Sequence, residues 1–297
     1  MHTRHWRHRA ACAFDDACQL LSACGFGSAE YTDNYHMMAR FHHRRTPLLV
    51  VVCGVPCTGK STLAAKLAQT LNFQNVLQLD ALADASSGDS GSAWGRLTSF
   101  NENISGASSS ATRAAFGELK KAVTEGKSVI VDGAHAHPRL IAEAVRSACG
   151  APKQAAAGAA GRVGEAPDRA RAEDGVDCTP GEAAAPRLSA CDDDGQVLIV
   201  NIAVQMDRQA HASLLREWIS RRQGCLAEGE FCSLLQSLQG VQEAMCDYVE
   251  RSGGIVVNMT PTTHGLQMCT ATVQAHVLGL IRASLKPASS CAEPHLA

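Results

Sequence analysis

The residues best suited to chemistry form one short run. Gly54-Val55-Pro56-Cys57-Thr58-Gly59-Lys60-Ser61 fits the spacing G-x-x-x-x-G-K-[ST], the Walker A pattern. The two glycines permit a tight turn in which successive backbone N–H groups converge on phosphate oxygens. The lysine after them offers a fixed positive charge to the β- and γ-phosphates, and the next hydroxyl can ligate Mg²⁺. The expected nucleotide-contacting set is therefore Gly54, Val55, Pro56, Cys57, Thr58, Gly59, Lys60, Ser61 and Thr62, with ATP and Mg²⁺ as cofactors. Further along, Val129-Ile130-Val131-Asp132 is an apolar run ending in a carboxylate, the place from which an Asp can hold Mg²⁺ beside such a loop. Ser61 and Asp132 are the expected metal ligands.

A second carboxylate, Asp80, ends the shorter run Val76-Leu77-Gln78-Leu79. It could orient or deprotonate an acceptor hydroxyl, or cap the segment that follows it. Arg216, Arg221 and Arg222 fall on one helical stretch. Guanidinium groups match the charge spread over a transferring phosphoryl group, although a solvated basic face is the commoner use of such a cluster. His135 and His137 follow Asp132 closely. His135 is the candidate substrate contact, His137 reads as a loop residue before Pro138, and His211 reads as structural. The candidate catalytic set is thus Lys60, Asp80, Arg216, Arg221 and Arg222, with Asp80 and His135 toward the acceptor.

These side chains need a scaffold, and the surrounding pattern supplies one. Leu48–Cys53 is a short β-branched apolar run, as in a strand buried on both faces. Lys60–Leu71 places Leu63, Ala64, Leu67 and Leu71 at helical spacing. Strands are expected again at Val76–Leu79, Ser128–Val131, Val197–Val204 and Ile255–Asn258. Helices are expected at Ala114–Thr124, from Pro138 to about Cys149, and at Gln209–Arg222, Phe231–Arg251 and Leu266–Leu285. Between them, Ala83–Ser110 reads as a mobile loop with weak helix. Strands alternating with helices imply an α/β domain with a parallel sheet covered on both faces. Residues 151–194 hold almost no large apolar side chains, so a disordered insertion is expected there. The domain is placed at 47–285, after an N-terminal tail and irregular or helical lead-in at 1–46 and before a C-terminal tail at 286–297.

Composition narrows the partners. The 297 residues carry 27 Lys and Arg against 29 Asp and Glu, a net charge of −2. That balance gives no bulk electrostatic reason to bind nucleic acid or an anionic membrane. No apolar run approaches the ~20 residues of a membrane span. Thirteen cysteines, an odd number without close CxxC pairing, suit a reducing compartment better than a disulfide framework or a zinc site. A cytoplasmic location is expected, with the basic first fourteen residues leaving a mitochondrial presequence as the alternative.

GVPCTGKSTLA, NVLQLD, EGKSVIVDGAHAHP and MDRQAHASLLREW together resemble 2-phosphoglycerate kinase and its P-loop relatives, from about Leu48 to Arg282. The narrower pointer is Gly133-Ala134-His135-Ala136-His137-Pro138. The resemblance implies a P-loop kinase-type three-layer fold, a sheet in the order 2-3-1-4-5, and an Arg-bearing lid after the fourth strand. Members of that family usually carry Thr or Ser before the Asp of the second strand and an Arg soon after it. Here the sequence is Leu79-Asp80-Ala81-Leu82-Ala83-Asp84, so the kinase class carries over and the phosphoglycerate specificity does not. The expected activity is phosphoryl transfer from ATP to a hydroxyl of a small molecule. The alternatives are a nucleotide-binding module without turnover, and a kinase acting on RNA, tRNA or nucleic-acid ends.

Overall fold

A computed structural model of the chain describes residues 16–82 apart from 21 and 26, together with 104–149, 197–223 and 226–285. Twelve principal elements alternate along it: α1 (Ala29–His43), β1 (Leu48–Cys53), α2 (Lys60–Thr70), β2 (Asn75–Gln78), α3 (Ile104–Glu125), β3 (Val129–Asp132), α4 (Pro138–Ala148), β4 (Leu198–Met206), α5 (Arg208–Gln223), α6 (Glu228–Arg251), β5 (Ile255–Met259) and α7 (Thr263–Ser284). The five strands form one sheet in the order β2-β3-β1-β4-β5, every pairing parallel. This is the order that the resemblance implied.

β1 explains the layering. All six of its residues are buried, and successive side chains point to opposite faces. Leu48, Val50 and Val52 join a core with α1, α2 and α7, through residues such as Phe41, Leu67 and Val277. Leu49, Val51 and Cys53 join a second core with α3, α4 and α6, through Leu119, Ile141 and Val249. A run without polar alternation is what a strand covered on both sides requires. A third, smaller core packs α5 against α6 and reaches Val55 and Ala134 at the carboxyl edge of the sheet.

Several boundaries differ from expectation, each for a local reason. β2 is Asn75–Gln78. Leu79 is already the first residue of a short helical turn and is fully buried, so Asp80 lies inside that turn. α3 begins ten residues before the expected Ala114, in Ile-Ser-Gly-Ala-Ser-Ser-Ser, a stretch that composition alone assigns to a loop. α1 is no detached lead-in. Ser28 caps it by accepting from the Tyr31 amide, its Met37 and Phe41 enter the first core, and Asn34 accepts a hydrogen bond from Arg282 of α7. The packed unit therefore starts well before residue 47. The expected insertion at 151–194, the tail at 286–297 and most of Ala83–Ser110 lie outside the described residues.

Candidate nucleotide-binding site

The site forms where β1 ends. Parallel strands bring their carboxyl ends to one edge, the edge where open α/β sheets receive ligands. Val52 of β1 pairs with Asp132 of β3 on one side and Ile202 of β4 on the other, and Gln78 of β2 pairs with Asp132. The Gly54–Gly59 loop thus emerges from the centre of that edge with Asp132 beside it.

The loop's shape is set by its glycines. Gly54 has φ +145°, and a Cβ there would sit 2.5 Å from the Val204 carbonyl. Gly59 has φ +86° and is the N-cap of α2, with no side chain capping the helix. The first amides of α2 are therefore presented to the loop rather than used by a capping side chain, the arrangement that favours an anion. Cys57 also takes a positive φ, +66°.

Inside the turn, the carbonyl of Val55 is the hub. Lys60 Nζ donates to it at 2.8 Å and Thr58 Oγ1 at 2.9 Å. Lys60 is only 6% exposed, so its ammonium is held across the loop rather than free in solvent. The Val55 amide is directed the other way and donates to Gln242 Oε1 of α6 at 2.9 Å. Pro56 has no amide hydrogen, and its carbonyl lies 2.9 Å from His211 Nε2 of α5. Of the nine expected nucleotide contacts, Val55 and Pro56 thus bring no N–H to the cradle. They shape the loop, because their polar groups are spent on Lys60, Gln242 and His211.

Asp132 is 2% exposed. Burial raises its pKa above the ordinary carboxylate range, opposed by the Ser61 hydroxyl bonded to it and by the nearby Lys60 charge, and reinforced by Asp80. Its Oδ1 is buried with no hydrogen-bond partner. A buried carboxylate with one orphaned oxygen, touching the hydroxyl of the residue after the loop lysine, fits a hard divalent cation with oxygen ligands. Among the described residues no group of three or more His, Cys, Asp and Glu is placed to hold a metal ion.

Asp80 is committed to the backbone. Its two oxygens accept from the amides of Ala134 at 3.0 Å and His135 at 3.1 Å. It clamps the loop that follows β3. Gly133 makes this approach possible, since a Cβ there would lie 2.7 Å from Asp80 Oδ1. His137 opens α4 just before Pro138, with its ring 5.5 Å from that of Tyr248, and burial lowers its pKa.

The arginines separate. Arg216 donates to Glu228 at 2.7 Å and lies over the Phe231 ring at 4.2 Å. It ties α5 to α6 and does not line the cavity at the phosphate loop. Arg221 bonds Glu217 one turn back and does line that cavity. Arg222 belongs to α5, but its side chain lies outside the described residues. The cavity has a volume of about 860 Å³ and runs from Cys57, Gly59 and Thr62 to Trp218 and Leu214 of α5 and to the Thr260–Thr263 segment after β5. Sequence reasoning missed Gln242, Trp218 and this last segment.

A five-stranded parallel sheet in this order, with a glycine-bounded loop after its central strand and helices around it, is the P-loop kinase-type fold. Residues 49–163 are similar to the family model described as AAA domain, and this match does not single out the 2-phosphoglycerate kinase-like group. No curated protein matches the sequence. Among solved structures, shikimate kinase from Acinetobacter baumannii in complex with shikimate is similar at a TM-score of 0.43 and 11% identity, covering 83% of this chain and 99% of that one. Shikimate kinase from Aquifex aeolicus is similar at 0.35 and 12%, covering 80% and 99%. A candidate kinase from Chloroflexus aurantiacus is similar at 0.43 and 16%, covering 79% and 97%. No helix among the described residues is long and apolar enough to cross a membrane.

Proposed function

We propose that the chain is a kinase that transfers the terminal phosphoryl group of ATP to a hydroxyl of a small molecule. The observation that carries this reading is the juxtaposition at the carboxyl edge. The Gly54–Gly59 turn and uncapped start of α2 meet the Ser61–Asp132 pair, with the Lys60 ammonium already inside the loop. Phosphoryl transfer asks little covalent chemistry of a protein and depends on position and charge. The amides of Thr58 through Thr62 would hold the β- and γ-phosphates. Lys60 would move from the Val55 carbonyl onto phosphate oxygens. Ser61 and Asp132 would hold Mg²⁺, which supplies charge neutralisation at the phosphates when bound.

The remaining groups divide between the two ends of the site. Arg221 and Trp218 would cover the nucleotide from α5 in the adjoining cavity. Arg216, tied to Glu228 and Phe231, would brace the lid helix instead. Asp80 would hold the Gly133–His135 loop in place, and His135 would meet the acceptor from it.

The test incubates the protein with labelled ATP and a panel of hydroxyl-bearing metabolites and short RNA ends. A labelled metabolite is expected, and Lys60→Ala should remove both its formation and most Mg²⁺-ATP affinity. Labelled RNA alone would move the acceptor class to nucleic acid. Tight Mg²⁺-ATP binding with no transfer to any acceptor or water would leave a binding module.

A further inference from the structure

The loop's outward amide is held by a side chain from a helix far along the sequence. Val55 N–H donates to Gln242 Oε1 at 2.9 Å, and Gln242 Nε2 donates to Cys246 Sγ at 3.1 Å. The chain of contacts continues from the Cys246 thiol to Gln205 Oε1 at 3.6 Å, and from Gln205 Nε2 to Asn258 Oδ1 at 2.6 Å. Gln242 is 8% exposed on a helix face otherwise made of Leu235, Leu238, Met245 and Val249. Its oxygen also lies 3.4 Å from where a Cβ on Gly54 would be. A lone amide on an apolar stripe is costly to bury unless both of its ends are used. Here both are used, and each contact fixes the other: the oxygen must face Val55 and the nitrogen must face sulfur.

We infer that Gln242 is a positioning residue for phosphate binding, holding the first amide of the phosphate loop outward so that the later amides converge on the nucleotide. This rests on the nucleotide-binding reading above. The Gln242 bond fixes the Gly54–Val55 peptide, and the carbonyl of the next peptide, Val55–Pro56, collects Lys60 and Thr58. Freed, the Gly54–Val55 peptide could rotate, and the adjoining Val55 carbonyl that holds the lysine would lose its fixed direction. The role needs a neutral group that accepts at one end and donates at the other, and a plain packing role needs neither.

Gln242→Glu separates the two. An ionised carboxylate accepts from Val55 but cannot donate to Cys246, and it brings a negative charge beside bound phosphates. Once protonated, the same carboxyl both accepts and donates and so reproduces the amide. The ionisable groups along this chain of contacts are Cys246 of α6, with Glu250, Asp247 and Glu243 of the same helix near it, Cys53 of β1, Lys60 of α2 and, beside the loop, His211 of α5.

The experiment measures Mg²⁺-ATP dissociation constants for wild type, Gln242→Glu and Gln242→Met across a pH series, with thermal unfolding of each as the control for folding. At about pH 8, Gln242→Glu should bind at least ~10-fold more weakly than wild type, and the ratio should approach one as the pH falls toward the carboxyl's raised pKa. Gln242→Met, which fills the space but offers no acceptor, should stay weak at every pH. Affinities equal to wild type in both variants would overturn the inference, as would a Gln242→Glu defect independent of pH. A wild-type protein that does not bind Mg²⁺-ATP would instead overturn the nucleotide-binding reading itself.

Discussion

Replacing Asp80 by Asn tests whether this carboxylate is a loop clamp or a catalytic base. In the structure its two oxygens accept from two adjacent amides, Ala134 at 3.0 Å and His135 at 3.1 Å. Hydrogen bonds to an ionised partner are worth ~1.5–3 kcal/mol each, and neutral ones about 1 kcal/mol. Asparagine keeps one acceptor oxygen and turns an NH₂ toward the other amide, so one bond weakens and the other is lost. Asp80 is half-buried, which lets water compensate part of the loss, and a net cost of ~2 kcal/mol is expected. For a folded unit of this size that lowers Tm by roughly 4–8 °C. Differential scanning calorimetry of wild type and Asp80→Asn measures it directly. Gly133→Ala, which drives a Cβ against the same carboxylate, should destabilise too, and the two substitutions should be less than additive. If Asp80→Asn melts within about 1 °C of wild type, the clamp argument fails on its own magnitude. Loss of phosphoryl transfer in such a stable variant would then assign the carboxylate to the acceptor.

Three further outcomes follow from the same geometry. Burial raises the Asp132 pKa, so the metal-free fold is favoured below the ordinary carboxylate pKa and that contribution is lost as pH rises through the raised one. At neutral pH Asp132→Asn should therefore raise the Tm of the metal-free protein while abolishing the extra stabilisation by Mg²⁺-ATP, both readable in one melting series. Arg216→Ala should lower Tm by loosening α5 from α6 with little change in nucleotide affinity per folded molecule. Arg221→Ala should do the reverse, as thermal unfolding and titration calorimetry would show. His211 is buried with its pKa lowered, chiefly by desolvation. Its contribution to stability is present above the ordinary His value of about 6.5 and is lost as pH falls through the lowered one. Urea unfolding should find less stability at about pH 5 than at pH 7 for wild type, and a shallower loss for His211→Gln.

The parts of the molecule legible in the sequence were those encoded by local pattern. Leu48–Cys53 is a strand because six apolar residues in a row can be satisfied only under two helical layers. Lys60 and Asp132 stood out because spacing and strand ends are one-dimensional signals. Asp80 was visible as a carboxylate, but its partners are Ala134 and His135, 54 and 55 residues away, and no spacing rule reaches backbone amides at that range. Gln242 left a trace in hindsight, as a polar residue at a core position of an otherwise apolar stripe. Arg216 and Arg221 looked alike because Glu228 and Phe231, which engage Arg216, reach it only through the packing of α5 on α6, whereas Arg221 bonds Glu217 within α5. The early start of α3 was hidden because serine and glycine disfavour helix locally, and a helix gains most of its stability from what it packs on.

The position of the connection between α4 and β4 bears on how this protein can change over time. α4 follows the carboxyl end of β3, and β4 begins at Leu198, opposite Leu48 at the start of β1, with its amide on the Pro47 carbonyl. The connection therefore enters β4 at the amino edge of the sheet, a full strand length from Lys60 and Asp132. Lengthening a connection costs little, about 0.6 kcal/mol per doubling of a flexible loop. Lineages of this chain should therefore differ in length mainly at this point, and a reporter domain inserted between residues 150 and 196 should leave nucleotide binding intact.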